Sequence, residues 1–463
     1  VAVRPATDTI AAIATAPGSG GIGIVRISGP DALPLLRKMF VPLKPHARFT
    51  SHKLYYGTVL NRDGRVLDEA LAVYMQAPHT YTREDVVELH CHGSFVVLQE
   101  VLRTVFECGG RPAANGEFTK RAFLAGRIDL ARAEAVVDLL QAQTEKSAEL
   151  AVNQLRGELS SVCEQIRNEL VAILALLEVA IDFPDDDVEI FNADHVGVQL
   201  RTTVLAPLAR LIALAEQGKM VREGVQVVIA GRPNVGKSSL LNALLQEERA
   251  LVTAVPGTTR DTIEERIVIR GIPVHLVDTA GIRAHMDPVE ALGIERARQK
   301  LEQADLALFV VDASADLGEA DRTLYRTIAS NPHLVVLNKR DLASAERIES
   351  LLGEFAGQRV VVLSVQQQQG LDALQDAMYQ MIVGDQGELC EQMTCAPNAR
   401  HRSILHNTLT ACSNFEQAMQ EGAPVDLLAV EVQTALDHLG DITGLTTPDE
   451  VLDAVFSQFC IGK

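Results

Sequence analysis

Tryptophan is absent from the 463-residue chain, and aromatic residues together make up only 4% of it. A surface that holds single strands by stacking their bases would have few platforms here. Positive charge is short as well: 42 Lys and Arg stand against 61 Asp and Glu, a formal net charge of −19. Polyanion-binding proteins are ordinarily basic, so tight free-standing nucleic-acid binding is disfavoured, and RNA would have to arrive through a local basic patch or a basic partner. Cysteine is sparse, with seven residues at 91, 108, 163, 390, 395, 412 and 460. An odd, scattered set is not a disulfide framework and fits a reducing, cytoplasmic setting. No stretch reaches the roughly 20 apolar residues of a membrane span. The best run, from Leu170 to Leu177, closes at Glu178, so no membrane is expected. The apolar stretch from Thr9 to Ala16 is preceded only by Arg4 and by Asp8, and reads as a core strand rather than a signal segment.

Hydrophobic residues at 47% and charged residues at 22% give an ordinary globular balance. The length calls for two to four domains. Residues 1 to about 120 mix β-type runs with turn residues, and residues 86–106 read as a helix entered through a capping-box-like T-R-E-D at 82–85. Residues 130–181 are rich in Ala, Leu, Glu and Gln, broken only by Gly157, and helical pattern returns over 192–218. Between 225 and 383 five apolar runs of strand length alternate with helical stretches, the mark of parallel βαβ units. Helix returns over 388–459. The simplest arrangement is a helical domain built from both flanks, with an α/β domain inserted into it. The glutamine run at 366–369 reads as a surface loop.

Residues 231–238, G-R-P-N-V-G-K-S, follow a strand and open a helix, the context a phosphate loop requires. Backbone N–H groups close round the phosphates, Lys237 adds charge near the β and γ oxygens, and Ser238 can hold Mg²⁺. Asn338-Lys339-Arg340-Asp341 ends a later strand. A carboxylate there can accept two hydrogen bonds from the N1–H and 2-amino group of guanine, a donor pair adenine lacks. Asp278-T-A-Gly281 ends a strand too: its carboxylate can meet Mg²⁺ through water, and the Gly281 N–H can sense the γ-phosphate. Thr258 and Thr259, in P-G-T-T-R-D, supply a switch hydroxyl for Mg²⁺. Ras-like GTPases orient the attacking water with a Gln after this element. Here Ile282 stands in that place, so another group must act; Asp287, Glu290 and Glu295 are available, and each also reads as a solvated helix-start acid. His90, Cys91 and His92 invite a metal reading, but no second ligand pair accompanies them.

Together these motifs resemble the tRNA wobble-uridine modification GTPase family, called MnmE or TrmE. The resemblance runs over the whole chain. It includes D-T-I-A-A-I-A-T at 8–15, G-G-I-G-I-V-R-I-S-G at 20–29, E-D-V-V-E-L-H-C-H-G at 84–93, G-E-F-T-K-R-A-F-L at 116–124, D-L-A-R-A-E-A at 129–135 and the closing F-C-I-G-K at 459–463. The GTPase motifs alone fit many translation GTPases; the ends single out this family.

The resemblance implies a multidomain α+β and α/β chain. Residues 1–125 would be an α+β, folate-binding-like domain that also dimerises the protein. Residues 126–221 and 386–463 would form a discontinuous helical domain, and 222–385 an inserted Ras-like GTPase domain. GTP would be held by Asn234, Val235, Gly236, Lys237, Ser238 and Ser239, and by Thr253, Ala254, Val255, Pro256, Gly257, Thr258 and Thr259. Asp278, Thr279, Ala280, Gly281, Asn338, Lys339, Asp341, Ser364 and Val365 complete the set. Mg²⁺ would sit on Ser238 and Thr259, and K⁺ on Asn234, Thr253, Val255 and Thr258. Glu290 would position the hydrolytic water through an intermediary water. Arg26, Glu88, Arg127 and Lys463 would line a site for a tetrahydrofolate derivative in its 5-formyl or methylene form, with Cys460 as a catalytic thiol beside it. Arg127 stands where the family often has Lys, and Val365 where it usually has Ala. The implied function is a potassium-stimulated GTPase. With an FAD-dependent partner, in an expected heterotetramer, it adds an aminomethyl or carboxymethylaminomethyl group to carbon 5 of the tRNA wobble uridine. The alternative is a regulatory or ribosome-assembly GTPase switch without modification chemistry, which leaves the front domain and F-C-I-G-K unexplained.

Overall fold

A computed structural model describes residues 8–44, 48–183, 191–248, 264–278, 304–384, 387 and 392–463. The chain packs as two compact units, one made of Val1–Val137, Gln154–Val204 and Asn407–Lys463, the other of Asp138–Asn153 and Leu205–His406.

The first unit opens with β1 (Ile10–Ile13), β2 (Gly20–Ser28), α1 (Ala32–Met39), β3 (Phe40–Pro42), β4 (Lys53–Leu60), β5 (Val66–Met75), β6 (Val86–Gly93), α2 (Phe95–Glu107) and β7 (Arg111–Pro112). The strands form one sheet in the order β3-β4-β5-β6-β2-β1-β7. Period-two alternation buries one face: Val25 and Ile27 of β2 and Val87, Leu89 and Cys91 of β6 pack beneath Leu35, Leu36, Val101 and Val105 of the two helices. The same alternation puts Arg26 and Glu88 side by side on the opposite face, as register partners. Gly23 is required where α2 crosses, because a Cβ there would lie 2.4 Å from Leu98 Cδ1. Residues 86–106 are thus not one helix. Buried Val87, Leu89 and Cys91 alternate with Glu88, His90 and His92, a strand period, and the helix begins only after Ser94. Nor is 82–85 a helix cap: the Thr82 hydroxyl accepts from Glu84 N at 3.3 Å, and Asp85 accepts from Tyr74 Oη and Ala77 N, each at 2.9 Å.

Next come α3 (Glu117–Leu124), α4 (Leu130–Gln141), α5 (Glu145–Arg156), α6 (Glu158–Asp182) and α7 (Ala193–Gln199). Gly157 breaks the helical run as expected, at φ +100°, where the Arg132 guanidinium occupies the space a Cβ would need. A second break at 142–144 escaped the sequence pattern. Thr144 and Ser147 exchange hydrogen bonds there, with Ser147 N donating to Thr144 Oγ1 at 3.1 Å and Thr144 N to Ser147 Oγ at 3.0 Å.

The second unit holds α8 (Ala206–Glu223), β8 (Val225–Ala230), α9 (Lys237–Glu248), β9 (Glu264–Ile269), β10 (Ile272–Asp278), β11 (Leu306–Asp312), α10 (Glu319–Ile328), β12 (His333–Asn338), α11 (Ala345–Glu354), β13 (Val360–Val362) and α12 (Leu371–Val383). Sheet order is β13-β12-β11-β8-β10-β9, parallel throughout except for the β9–β10 hairpin. The five apolar runs are the five parallel strands. β9 is the strand the sequence pattern concealed: it is an edge strand, and its Glu and Arg positions interrupt the apolar run. Arg270 and Gly271, at φ +48° and +86°, make the tight turn that follows it. Ala193–Glu223 is long and apolar enough to cross a membrane by length and composition, a stretch not counted from sequence. Its second half, α8, buries Leu208, Leu211, Leu214 and Val221. In the same unit Gly218 faces Ala396, and Arg222 donates to the Ala396 carbonyl at 2.9 Å.

Three further helices return to the C-terminus: α13 (Ala399–Gln420), α14 (Val425–Thr443) and α15 (Asp449–Ser457). α14 lies along α6, and α15 buries Leu452, Val455 and Phe456 with Phe459, Leu130 and Ala133 in the first unit.

Candidate functional site

The nucleotide loop hangs between β8 and α9. A Cβ on Gly231 would lie 2.4 Å from the Val310 carbonyl, so only glycine lets the loop leave the sheet this closely. Asn234 and Gly236 take left-handed φ values of +65° and +98°. These turn successive backbone groups inward, the geometry of an anion-binding nest. Lys237 is buried at 6% exposure, and its Nζ donates to the Gly231 and Arg232 carbonyls at 2.9 and 2.7 Å. The ammonium therefore sits within the curve of the loop. Ser238 and Ser239 occupy the exposed first turn of α9.

The guanine-type motif is wired to this loop. Asn338 Nδ2 donates to the Val235 carbonyl at 2.9 Å, while its Oδ1 accepts from Val365 N at 3.2 Å. Lys339, at φ +64°, donates to the Asn234 carbonyl at 2.8 Å and to Asp312 Oδ2 at 2.6 Å. Ser364 Oγ donates to Asp341 Oδ1 at 2.5 Å, and the Asp341 carboxylate stands exposed at the loop surface. The N–H of Val365, one of the expected GTP residues, donates to Asn338 here.

Two groups were missed from sequence. Asp312 closes β11 at the carboxyl edge of the sheet, where ligands of open α/β sheets bind. Burial works to raise its carboxyl, but hydrogen bonds from Lys339 and Ser314 outweigh that and hold it below the ordinary carboxylate value. Arg232 donates through Nε to the fully buried Asp321 at 2.6 Å, tying the loop to the start of α10. The strand-end position of Asp312 was the available signal; nothing in the spacing pointed to Asp321. Thr253, Ala254, Val255, Pro256, Gly257, Thr258, Thr259, Thr279, Ala280, Gly281 and Glu290 lie outside the described residues, as does the Asp278 side chain, though Asp278 ends β10.

A second cluster forms in the first unit. Arg26 Nε donates to Glu88 Oε1 at 2.8 Å, and its NH1 donates to the Gly462 carbonyl at 3.2 Å. Glu88 Oε2 meets His90 Nε2 at 3.4 Å. The tail is fixed there by backbone: Asn115 bridges Ile461, and Gly462 takes φ +97° with its Cα so close that a Cβ would stand 2.3 Å from the Ile13 carbonyl. Cys460 is exposed, and its carbonyl accepts from Gly116 N at 3.5 Å and Lys463 N at 3.3 Å. Arg127 does not touch Arg26. Its NH1 donates to the Thr80 carbonyl, and its guanidinium lies 5.1 Å from the centre of the Tyr81 ring. Tyr81 packs on the cluster of Phe118, and Phe118 in turn carries Arg26 5.7 Å above its ring. Two guanidinium groups thus flank one aromatic pair. Among the described residues no cluster of three metal-ligating side chains occurs, and His90, Cys91 and His92 alternate across the β6 strand.

A family model described as the MnmE helical domain matches residues 130–460, and one described as the GTP-binding protein TrmE N-terminus matches residues 9–127. The tRNA modification GTPase MnmE of Desulfotalea psychrophila is 49% identical over 460 residues, 98% of each chain. The protein of that name from Natranaerobius thermophilus is 42% identical over 460 residues, 98% of this chain and 99% of its own. Among solved structures, an Aquifex aeolicus Era variant bound to GDP·AlF4− aligns at 27% identity with a TM-score of 0.28, over 42% of this chain and 67% of that one. That likeness is too loose to argue from.

Proposed function

The chain belongs to the MnmE family, and on that premise we propose that it hydrolyses GTP to drive the modification of tRNA at carbon 5 of the wobble uridine. The observation that carries the nucleotide half is the junction of loop and base motif, in which Asn338 and Lys339 hold the carbonyls of Val235 and Asn234. GTP fits this place. Inward backbone groups and Lys237 offset phosphate charge, and Asp341 offers carboxylate oxygen to a guanine edge. The Asn234 side chain is exposed, and its amide oxygen suits K⁺, with Thr253, Val255 and Thr258 as the expected remaining ligands. Ser238 suits Mg²⁺ beside Thr259. A monovalent cation there would offset transition-state charge as an Arg finger does. Glu290 is the proposed water-positioning group.

A tetrahydrofolate derivative fits the second cluster. The Arg26–Glu88 pair, at side-chain exposures of 20% and 17%, offers a donor and an acceptor side by side. Arg127 adds a cation, and Tyr81 and Phe118 add aromatic surface. When bound, the folate would supply the one-carbon unit. Lys463 and the Cys460 thiol stand on the tail that Arg26 holds. An FAD-dependent partner, a homodimer formed through residues 1–125 and a cytoplasmic setting complete the reading. The test is mass analysis of tRNA wobble nucleosides from cells lacking the chain, together with GTP turnover in K⁺ and Na⁺ at matched ionic strength. Unchanged nucleosides beside K⁺-dependent turnover would favour a regulatory switch instead.

A further inference from the structure

In a chain of net charge −19, no Asp or Glu stands between Asp31 and Asp63, while six Lys and Arg do. All six are exposed, and four of them, Arg37, Lys44, Arg48 and Lys53, gather around one end of β4. Tyr55 organises them. Its hydroxyl donates to the Arg48 carbonyl at 2.7 Å and accepts from Thr50 N at 2.8 Å, and Lys53 Nζ lies 5.9 Å from its ring centre. Leu43 N donates to the Tyr56 carbonyl at 2.9 Å, which sets Lys44 beside the same strand end. Arg37 is near enough for its charge to bear on the Tyr74 phenol, and Tyr74 is the register partner of Lys53. Asp85, on that side, already accepts from Tyr74 Oη and Ala77 N.

Among the described residues none of these four cations enters an ion pair. In the same unit Arg26, Arg103, Arg111, Arg121, Arg132 and Arg201 are paired with carboxylates, while Arg62 and Arg65, likewise without an ion pair among the described residues, follow the opposite end of β4. The difference matters because a paired guanidinium has spent its charge, whereas an unpaired one still attracts anions within a Debye length, about 10 Å at 0.1 M salt. A protein that modifies tRNA must approach a polyanion against its own overall charge. We propose that Arg37, Lys44, Arg48 and Lys53 form a docking face for the phosphate backbone of RNA, through which tRNA engages the first unit. This rests on the tRNA-modifying reading and adds the place of contact.

The test uses the full chain and an unmodified tRNA transcript, with binding followed by fluorescence anisotropy across a salt series. Lys44→Ala/Arg48→Ala/Lys53→Ala should bind about 10-fold or more weakly at ~50 mM salt, and the slope of log K on log salt should become shallower by about 2. A control with the same charge loss elsewhere, Arg103→Ala/Arg156→Ala/Arg167→Ala, should stay within about twofold of the parent. Lys44→Arg/Lys53→Arg should keep both affinity and slope. GTP turnover should be unchanged in every variant, which verifies folding. Equal loss in the control would show a net-charge effect and overturn the proposal. So would an unchanged slope in the triple variant, or a parent chain without measurable tRNA binding at ~50 mM salt. Loss of binding to phosphatidylserine vesicles with tRNA binding intact would assign the face to a lipid surface instead. Failure here leaves wobble nucleosides dependent on the chain, whereas failure of the underlying reading does not.

Discussion

Residues 231–238 build a phosphate loop from eight consecutive positions, whereas Arg26 reaches the Gly462 carbonyl across 436 positions of chain. The first site is made mostly of backbone: two left-handed residues, one buried ammonium and carbonyls held by Asn338 and Lys339. The second is made of side chains and a tail delivered from separate segments. A loop of consecutive residues pays little loop-closure entropy of its own, although its carbonyls are held only once β12 brings Asn338 and Lys339 up to it. A distributed site exists only when sheet, helices and terminus are all in place.

The contrast can be broken most directly at Gly236. Its φ is +98°, and a Cβ would lie 2.3 Å from Asn338 Nδ2. Gly236→Val should abolish nucleotide binding, on the order of 10³-fold in affinity, because strain and clash act on the loop itself. Hydrogen exchange of β2 and β6 should stay at the parent level. Increased exchange in both regions would show that the two sites are not independent.

Glu290→Ala is the next largest change. Turnover should fall about 10²-fold, while GTP affinity moves by less than about threefold, the outcome the proposed action of the carboxylate on water in the transition state requires. Stopped-flow binding of a fluorescent GTP analogue, run beside turnover, separates the two quantities. Equal losses would place Glu290 in ground-state binding.

The nucleotide motif was legible because each of its parts is short, contiguous and set at the end of an apolar strand. The five parallel strands were legible for the same reason. β6 was not, because Val86 and Val87 beside the Phe95–Glu107 helix blurred a period of two into a period of 3.6. β9 was hidden by its edge position, and the 142–144 break by a Thr–Ser exchange that has no apolar signature. Arg26 and Glu88 stand 62 positions apart, and no local pattern links them. Only the resemblance brought them together, and the β2–β6 register supplies the physical reason. Nothing local announces that Gly462 closes on Ile13, since the partner lies at the other end of the chain.

That closure gives a smaller, sharper test. Gly462→Ala must either strain a φ of +97° and meet the Ile13 carbonyl at 2.3 Å, or release the tail. Release is the easier course, because strain of this kind costs about 1–3 kcal/mol and a terminus can simply detach. Wobble modification should drop about 10-fold, with GTP turnover unchanged. Unaltered modification would mean that the tail need not sit on Arg26.

The smallest expected effect concerns what holds the first unit's own framework. Glu117 accepts from Arg111 NH1 at 2.8 Å, Arg121 NH2 at 2.9 Å and Ala114 N at 2.9 Å, and Asp8 accepts from Arg121 NH2 at 2.8 Å. Burial works to raise the Glu117 carboxyl, but the hydrogen bonds from Arg111, Ala114 and Arg121 outweigh it and bring it to about 2, against an ordinary value of 4.5. Because the folded value lies below the unfolded one, the unfolded chain takes up the proton first as pH falls. The associated stability is fully present above about 4.5 and is lost as pH falls through about 2. Solvent around the half-exposed Arg111 weakens the pair, so a stabilisation on the order of 2 kcal/mol is expected rather than the full shift. Hydrogen exchange of α3 between pH 5 and pH 3, compared with that of β11 and β12 in the second unit, reads the difference. The α3 amides should lose protection over this window once intrinsic exchange rates are corrected, and Glu117→Gln should remove most of the pH dependence while lowering protection at pH 5. Of the second unit's core strands β12 should change least, because His333–Asn338 carries no carboxylate, whereas Asp312 at the end of β11 is itself held below the ordinary carboxylate value by Lys339 and Ser314. If both units lose protection in parallel, acid acts through overall charge, and the Arg111–Glu117–Arg121 cluster is not what ties α3 to the sheet.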